Sequence, residues 1–178
     1  MSIRFELCSD SNLLAQYYEL REQCFRRELG LPDFDGGEDE RDRTGHILIA
    51  RRGDRCVGGA RIASGAPVSE QLNELDLVED ACCMWERFVI DPEVRTVQLV
   101  RDFCAKLIDA SRGLDYEFAL VLSSLCNARF YRQCHSALGV GFKIHRSTPD
   151  MARGAFEGLE HYLSVAHLAT SNRLRIAA

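Results

Sequence analysis

The segment MWERFVIDPEVRTVQLVRDF, residues 84–103, joins a strand to a helix and constrains the fold more than any other part of the chain. Apolar and β-branched residues from Trp85 to Ile90 indicate a half-buried strand, although Glu86 and Arg87 place adjacent opposite charges inside it. Asp91-Pro92 then predicts a helix N-cap with proline in the first turn. Because neighbouring side chains on a regular strand face opposite sides, we expect Glu86 to face a cleft and Arg87 to reach back towards an acidic loop.

Hydrophobic periodicity places the other elements around this junction. A strand at 2–7 precedes a helix that ends at Gly30, and the acidic, glycine-rich segment 30–45 predicts a long loop. The later predicted elements are strands at 46–50 and 56–62, a short helical stretch within 69–80, a helix at 94–112, a strand at 117–122, a helix at 127–137, and strands at 141–145 and 159–168. This order predicts an α/β domain in which a mixed, mostly antiparallel sheet of about seven strands is flanked by about three helices.

Length and composition limit the possible functions. A chain of 178 residues allows one domain, which we expect over residues 1–170, with a tail at 171–178. A net charge of −5 argues against nucleic-acid binding, and no apolar run is long enough for a membrane span. The eight cysteines form neither a CxxC pair nor a Cys/His zinc pattern, so we expect reduced core thiols, no metal and a cytoplasmic location.

The acidic loop allows two interpretations. Its carboxylates could form a solvated face, which is the usual fate of a charge run. Arg21, Arg61 and Arg87, however, are cations on otherwise apolar elements and need carboxylate partners. A network of Arg21 and Arg61 with Asp39 and Asp42 would hold the loop over a cleft.

The element order, the junction ending in IDPEVR and the later segment NARFYRQCHSALGVGF resemble the GNAT-type N-acyltransferase fold. In that family a glycine-rich turn wraps the pyrophosphate of coenzyme A, whereas Gln98 and Val100 occupy the two glycine positions here. The resemblance implies cofactor contacts from Phe88, Val89, Arg95 and Gln98. It also implies that Tyr131 protonates the leaving thiolate, although its offset from Ala128 is one residue short and a core or interface tyrosine is the alternative.

The first half of the chain resembles a branch without those glycines, the acyl-homoserine-lactone (autoinducer) synthases and the N-acyl amino acid synthases. Four motifs recur in order: Arg21 to Phe25 as R-x-x-x-F, Asp39 to Asp42 as D-x-x-D, Gly58 to Arg61 as G-x-x-R, and the strand Trp85-Glu86-Arg87-Phe88. Leu31 stands where that family usually has tryptophan, and its E-x-S-R spacing is collapsed here. Either Glu86 matches the catalytic glutamate or Arg87 matches the family arginine; the preceding Trp85 favours Glu86.

The resemblance implies a substrate and a mechanism. An acyl group on an acyl carrier protein, or on coenzyme A, would pass to the amine of an amino acid or derivative. The acyl-phosphopantetheine thioester would be a co-substrate and not a bound cofactor, entering between the strands at 84–90 and 117–122. Glu86 would be the base, and Arg21, Phe25, Asp39, Asp42, Arg61, Trp85 and Arg87 would surround the substrate. A bulge at 86–90 would direct a backbone N–H at the thioester carbonyl.

Partners and rival functions follow from the same residues. Five basic residues between 125 and 153, against the single acid Asp150, suit either an acidic carrier protein or the 3′-phosphate of coenzyme A. One rival function is a coenzyme A-dependent acetyltransferase acting on a small amine or a protein. The other is an inactive protein of the same fold that only binds an acyl ligand or a partner. The oligomeric state is left open.

Overall fold

The computed structural model describes residues 2–65, 68–147 and 156–169, and the expected tail at 171–178 lies outside them. A seven-stranded sheet has the order β1-β2-β3-β4-β5-β7-β6, in which only the β4–β5 pair is parallel. The strands are β1 Arg4–Leu7, β2 His46–Arg52, β3 Arg55–Ser64, β4 Cys82–Ile90, β5 Phe118–Ser123, β6 Phe142–Ser147 and β7 Tyr162–His167. The predicted α/β class and mostly antiparallel sheet are confirmed.

The described part of the chain contains five α-helices: the three long ones that the sequence predicts, a short one within the predicted stretch 69–80, and one that was not predicted. They are α1 Ser11–Glu28, α2 Glu40–Thr44, α3 Ser69–Glu74, α4 Val97–Gly113 and α5 Leu125–Ala137. Helix α2 escaped prediction because its five residues, ERDRT, contain no apolar position. A capping box holds it instead: Asp39 accepts a hydrogen bond from the Asp42 backbone N–H, and Asp42 accepts one from that of Asp39. Within the described residues no helix combines the length and apolar character that a bilayer span requires.

Helix α4 begins later than the sequence predicts. Asp91 is not its N-cap; the Val94 N–H donates to the Asp91 carbonyl at 3.0 Å, which closes a turn. The helix starts at Val97, where the Thr96 hydroxyl accepts a hydrogen bond from the Leu99 N–H at 3.1 Å. The prediction failed because proline in an Asp-Pro pair suits a turn as well as a helix start.

The two faces of the sheet have separate apolar cores, and one opening connects them. Helices α4 and α5 cover one face, where Phe103 is fully buried, and α1 covers the other, where Tyr17 is fully buried. Pairing between β4 and β5 stops at Trp85 and Val121, although β4 continues to Ile90. The two parallel strands therefore separate beyond Trp85 and leave a cleft through the sheet.

Candidate active site

The cleft between the separated strands has a volume of about 1100 Å³ and is lined by α1, α4 and α5 as well as by β4 and β5. The predicted site residues that line it are Phe25, Arg61, Trp85, Glu86, Arg87, Phe88, Val89, Arg95 and Tyr131. Arg21, Asp39, Asp42 and Gln98 are not among the lining residues. The structure thus brings most of the predicted set to one opening and puts three charged residues behind it.

Strand β4 carries a bulge at the cleft. Gly59 pairs with Val89 and Arg61 with Glu86, so Arg87 and one further residue face a single residue of β3. Arg87 has a left-handed backbone, with φ 55°. The expected bulge is therefore present. Arg87 approaches Asp39 of the acidic loop, as expected, but it also lines the cleft beside Glu86, because the bulge breaks the alternation of the strand.

Tyr17 of α1 holds this bulge from the α1 side of the sheet. Its hydroxyl donates a hydrogen bond of 3.0 Å to the Arg87 carbonyl. The ring lies against Gly59, where an added Cβ would be only 2.3 Å from a ring carbon. A glycine in the middle of β3 thus lets the tyrosine ring lie across that strand, so that its hydroxyl reaches the backbone of β4 beside the cleft.

Two guanidinium groups hold the Glu86 carboxylate on one side. Oε2 accepts hydrogen bonds from Nε of Arg61 at 2.8 Å and from Nε of Arg41 at 3.0 Å. Oε1 accepts none from the described residues, and the side chain is 19% exposed at the cleft. Glu86 therefore has a fixed orientation and one oxygen available to an ammonium group or a water molecule.

A buried ion-pair network stands behind Glu86. Arg21 donates to both oxygens of Asp42, at 3.1 and 3.0 Å, and to the carbonyl of Gly36 at 2.9 Å. Arg61 donates to Asp42 at 2.9 Å and also pairs with Asp39. The predicted pairs are present. The solvated alternative is wrong for Asp42, which is buried, whereas the Asp39 side chain is 40% exposed while it pairs with Arg61.

The same network sets the ionisation of Asp39. Burial acts to raise the pKa of this carboxyl, but the hydrogen bond and charge of Arg61 outweigh burial and lower the pKa to about 2. Asp39 is therefore ionised at neutral pH. It supplies a fixed negative charge between Arg61 and Arg87.

Arg87 lies among aromatic rings, and within the described part of the chain its guanidinium donates no hydrogen bond. Its guanidinium carbon is 5.9, 5.1 and 4.6 Å from the ring centroids of Phe25, Phe34 and Phe156. Its one ion-pair approach among the described residues is 3.9 Å, to Asp39. Burial and the nearby arginines lower its pKa. A cation in this environment suits an anionic group of a ligand.

Tyr131 of α5 faces the same cleft. It packs beside Phe88, with ring centroids 6.0 Å apart, and burial raises its pKa. The phenol is therefore neutral at physiological pH and its O–H can donate a hydrogen bond. Complete proton transfer to a thiolate is unfavourable, because an ordinary thiol has a pKa of about 8.5.

The positions expected to meet a pyrophosphate are otherwise engaged. Both terminal nitrogens of Arg95 pair with the Glu28 carboxylate, at 2.7 and 2.6 Å, and Arg95 also bonds the Ile90 carbonyl. Gln98 is exposed and donates to Asp102 at 2.7 Å. Arg95 therefore lines the cleft as part of an ion pair, and Gln98 points to a neighbour on its own helix.

Comparison with known proteins supplies the fold family. No protein-family model matches the sequence, and neither does any curated protein. Solved structures do match: the acyl-homoserine-lactone synthase LasI superposes with a TM-score of 0.68 at 14% identity, over 97% of this chain and 93% of that one. The chain has the GNAT-type acyltransferase fold.

Other matches to the GNAT fold have coenzyme A ligands. BjaI, a coenzyme A-dependent acyl-homoserine-lactone synthase solved with SAM and isopentyl-CoA, gives a TM-score of 0.63 at 14% identity, over 88% of this chain and 76% of that one. A Bacillus subtilis acetyltransferase in complex with CoA gives 0.60 at 13%, over 93% and 98%. At these identities the likeness concerns the fold, and the predicted resemblance is confirmed at that level.

Within this GNAT fold several residues of the site were missed by sequence reasoning. Arg41 holds Glu86, Phe34 and Phe156 surround Arg87, and Tyr17 supports the bulge. Of these residues, only Arg41 could have been found from the sequence, because it lies inside the D-x-x-D motif between two carboxylates that pair with arginines. The phenylalanines come from distant segments, and nothing local marks them.

Proposed function

We propose that this protein is an N-acyltransferase that moves an acyl group from a phosphopantetheine thioester to the amine of an amino acid or a derivative. The observation that supports the proposal most is the bulged end of β4, where the Glu86 carboxylate and the Arg87 guanidinium line the same cleft through the sheet. Amide formation needs a base for the ammonium group, support for the oxyanion and a slot for the thioester arm. The fold relatives, an acetyltransferase with CoA and two autoinducer synthases, support the same class of chemistry.

The reaction assigns each group a task. The ammonium group of the acceptor gives a proton to Glu86 Oε1, directly or through one water, and the free amine attacks the thioester carbonyl. The N–C bond forms, a backbone N–H at the bulge stabilises the oxyanion, and the C–S bond then breaks. The nitrogen of the tetrahedral adduct loses a second proton as the C–S bond breaks, and the leaving thiolate, to which Tyr131 donates a hydrogen bond, takes up this proton. Glu86 then releases the first proton to solvent.

The pair of charges in the cleft favours an amino-acid acceptor. Glu86 attracts the ammonium group and Arg87 a carboxylate, and an α-amino acid carries both on one carbon. Arg61 bonds Glu86 and Asp39, and Asp39 in turn lies 3.9 Å from Arg87, so the two binding groups are held relative to each other. This spacing supports selection by the two charged ends of the acceptor.

A carrier protein is the donor that the surface favours. Arg95, the position expected at a coenzyme A pyrophosphate, pairs with Glu28. Arg129, Arg132 and Lys143 are exposed on α5 and β6 and offer cations to an acidic partner. Coenzyme A remains the second candidate donor because two fold relatives bind it.

Thiol release measured with a set of acyl carrier proteins and with acyl-CoA, at matched chain lengths and with an amino-acid mixture, tests the proposal. We expect turnover to depend on the acceptor and kcat/KM to favour the carrier protein. Glu86→Gln should lower kcat by about 100-fold or more because the amine loses its base. Glu38→Gln is the matched control, since Glu38 is exposed and its one hydrogen-bond partner among the described residues is Arg43, at 3.4 Å. Equal activity of the two variants would rule out the assigned base.

A further inference from the structure

His135, on the α5 side of the cleft, has an unused hydrogen-bond acceptor. The residue is 1% exposed and lines the cleft together with Trp85, Leu107 and Tyr131. Its Nδ1 lies 2.8 Å from the carbonyl oxygen of Tyr131, and its Nε2 is buried without a hydrogen-bond partner among the described residues. A buried polar atom without a partner is uncommon and indicates that a partner is supplied from elsewhere.

The hydrogen bond to Tyr131 fixes which nitrogen carries the proton. A carbonyl oxygen can only accept, so Nδ1 must be the N–H and Nε2 of the neutral ring must be an acceptor. Burial lowers the pKa of His135, which keeps the ring neutral at physiological pH. The unpaired Nε2, on a residue that lines the cleft, is therefore an acceptor that requires a donor.

Aromatic neighbours prevent the ring from turning to find another partner. His135 stacks on Trp85, with centroids 5.5 Å apart and an interplanar angle of 28°, and packs against Phe142 at 4.6 Å. These two ring contacts hold the imidazole in its orientation. A molecule bound in the cleft can supply the donor that the described residues do not.

The position of His135 relative to Tyr131 identifies the part of the ligand that it meets. The two residues are four apart on α5 and so lie on one helix face, about 6 Å along the axis from each other. In the proposed reaction Tyr131 faces the thioester sulfur. Trp85, which stacks on His135, lies at the end of the cleft where β4 and β5 are still paired. His135 therefore lies beyond the sulfur, alongside the first carbons of the acyl chain.

We propose that His135 selects an acyl chain that carries a hydroxyl group close to its thioester carbonyl, as in a β-hydroxyacyl thioester. The hydroxyl donates to Nε2. A keto group at the same carbon can only accept and is rejected, and a plain methylene leaves Nε2 unpaired. This inference rests on the proposed function for the direction of the acyl chain. Nothing in the reaction chemistry requires the hydroxyl, so it concerns specificity alone.

Competition between three acyl thioesters of equal length tests it: β-hydroxyacyl, β-ketoacyl and unsubstituted, each on the donor that supports turnover. For the wild-type protein we expect kcat/KM for the hydroxyacyl chain to exceed the other two by about 10-fold or more. His135→Phe keeps an aromatic ring against Trp85 but removes the acceptor, so its preference should fall to about equal. A wild-type protein without preference, or a variant that keeps it, overturns the inference.

A control variant and a binding measurement complete the test. His161→Phe is the control, because His161 also lines the cleft and its Nδ1 also meets a carbonyl, that of Leu159, at 2.9 Å; its hydroxyacyl preference should persist. Calorimetric binding of the N-acetylcysteamine thioesters without acceptor separates this inference from the proposed function. Selective hydroxyacyl binding that His135→Phe abolishes supports the inference even if no amide forms. Turnover or binding without selectivity contradicts it, and if none of the thioesters binds or reacts, the inference fails together with the proposed function.

Discussion

Arg87 combines two costly features in one residue. Its left-handed backbone costs about 1 kcal/mol for a residue with a Cβ atom, and its guanidinium lies among three phenyl rings and donates no hydrogen bond to the residues that the structure describes. Such strain persists only where the surrounding structure fixes it, and the Tyr17 hydroxyl bonded to the Arg87 carbonyl does so here. Strain and a half-buried cation with few partners among the described residues are more readily explained by ligand binding than by stability.

Arg87→Met tests the role of this cation in binding the acceptor. Methionine keeps an apolar side chain among the three phenyl rings but removes the charge. We expect KM for the amino-acid acceptor to rise by about 10- to 100-fold, because a charge-assisted hydrogen bond is lost, while the KM for the thioester stays unchanged. Steady-state kinetics with each substrate varied in turn provide the measurement.

A second arginine substitution is the control for Arg87→Met. Arg43→Met removes an exposed arginine of α2 whose partner is Glu38 at 3.4 Å, and should leave both KM values unchanged. If Arg87→Met weakened the thioester instead of the acceptor, the cation would belong to the donor site.

At the scale of elements, the loop before α2 is held against α1 by a close backbone approach. An added Cβ at Gly36 would lie 2.4 Å from Glu22 Cβ and 2.6 Å from the Tyr18 carbonyl oxygen. This approach places the Gly36 carbonyl where Arg21 donates to it, at 2.9 Å. The loop and α2 thus depend on a residue without a side chain.

Gly36→Ala should destabilise the protein by about 1–3 kcal/mol, because the loop must move away from α1 and Arg21 loses a carbonyl partner. Urea unfolding followed by circular dichroism measures the difference. Gly113→Ala is the control, since an added Cβ there meets nothing within 4 Å; at the end of α4 it should be neutral or stabilise by up to about 1 kcal/mol. Equal stability of the two variants would show that the loop is not packed as described.

The sequence predicted elements better than it predicted contacts between them. Seven strands follow from local alternation, and the pairs of Arg21 and Arg61 with the acidic loop follow from the need of a buried cation for a partner. Helix α2 was missed because it is stabilised by a polar capping box, and the Asp91 cap was wrong because Asp-Pro has two local uses. Phe156 could not be assigned to Arg87, since their proximity depends on the whole fold.

For the molecule as a whole, one feature of the sheet organises the site. The separation of β4 from β5 beyond Trp85 opens a path between the two faces. The α1 side carries the network behind Glu86 and the cation Arg87, and the α4–α5 side carries Tyr131 and apolar residues. A polar acceptor and an apolar thioester chain can therefore approach the same backbone bulge from different sides.

The central claim is that this protein forms an amide between a carrier-borne acyl group and an amino acid. The most direct measurement is mass spectrometry of a reaction containing ¹³C-labelled acyl thioester, a mixture of amino acids and the wild-type protein, beside the same reaction with Glu86→Gln. We expect a labelled N-acyl amino acid whose yield is strongly reduced with the variant. Label found only in free fatty acid or on protein lysines, or an equal yield of amide from both proteins, would contradict it.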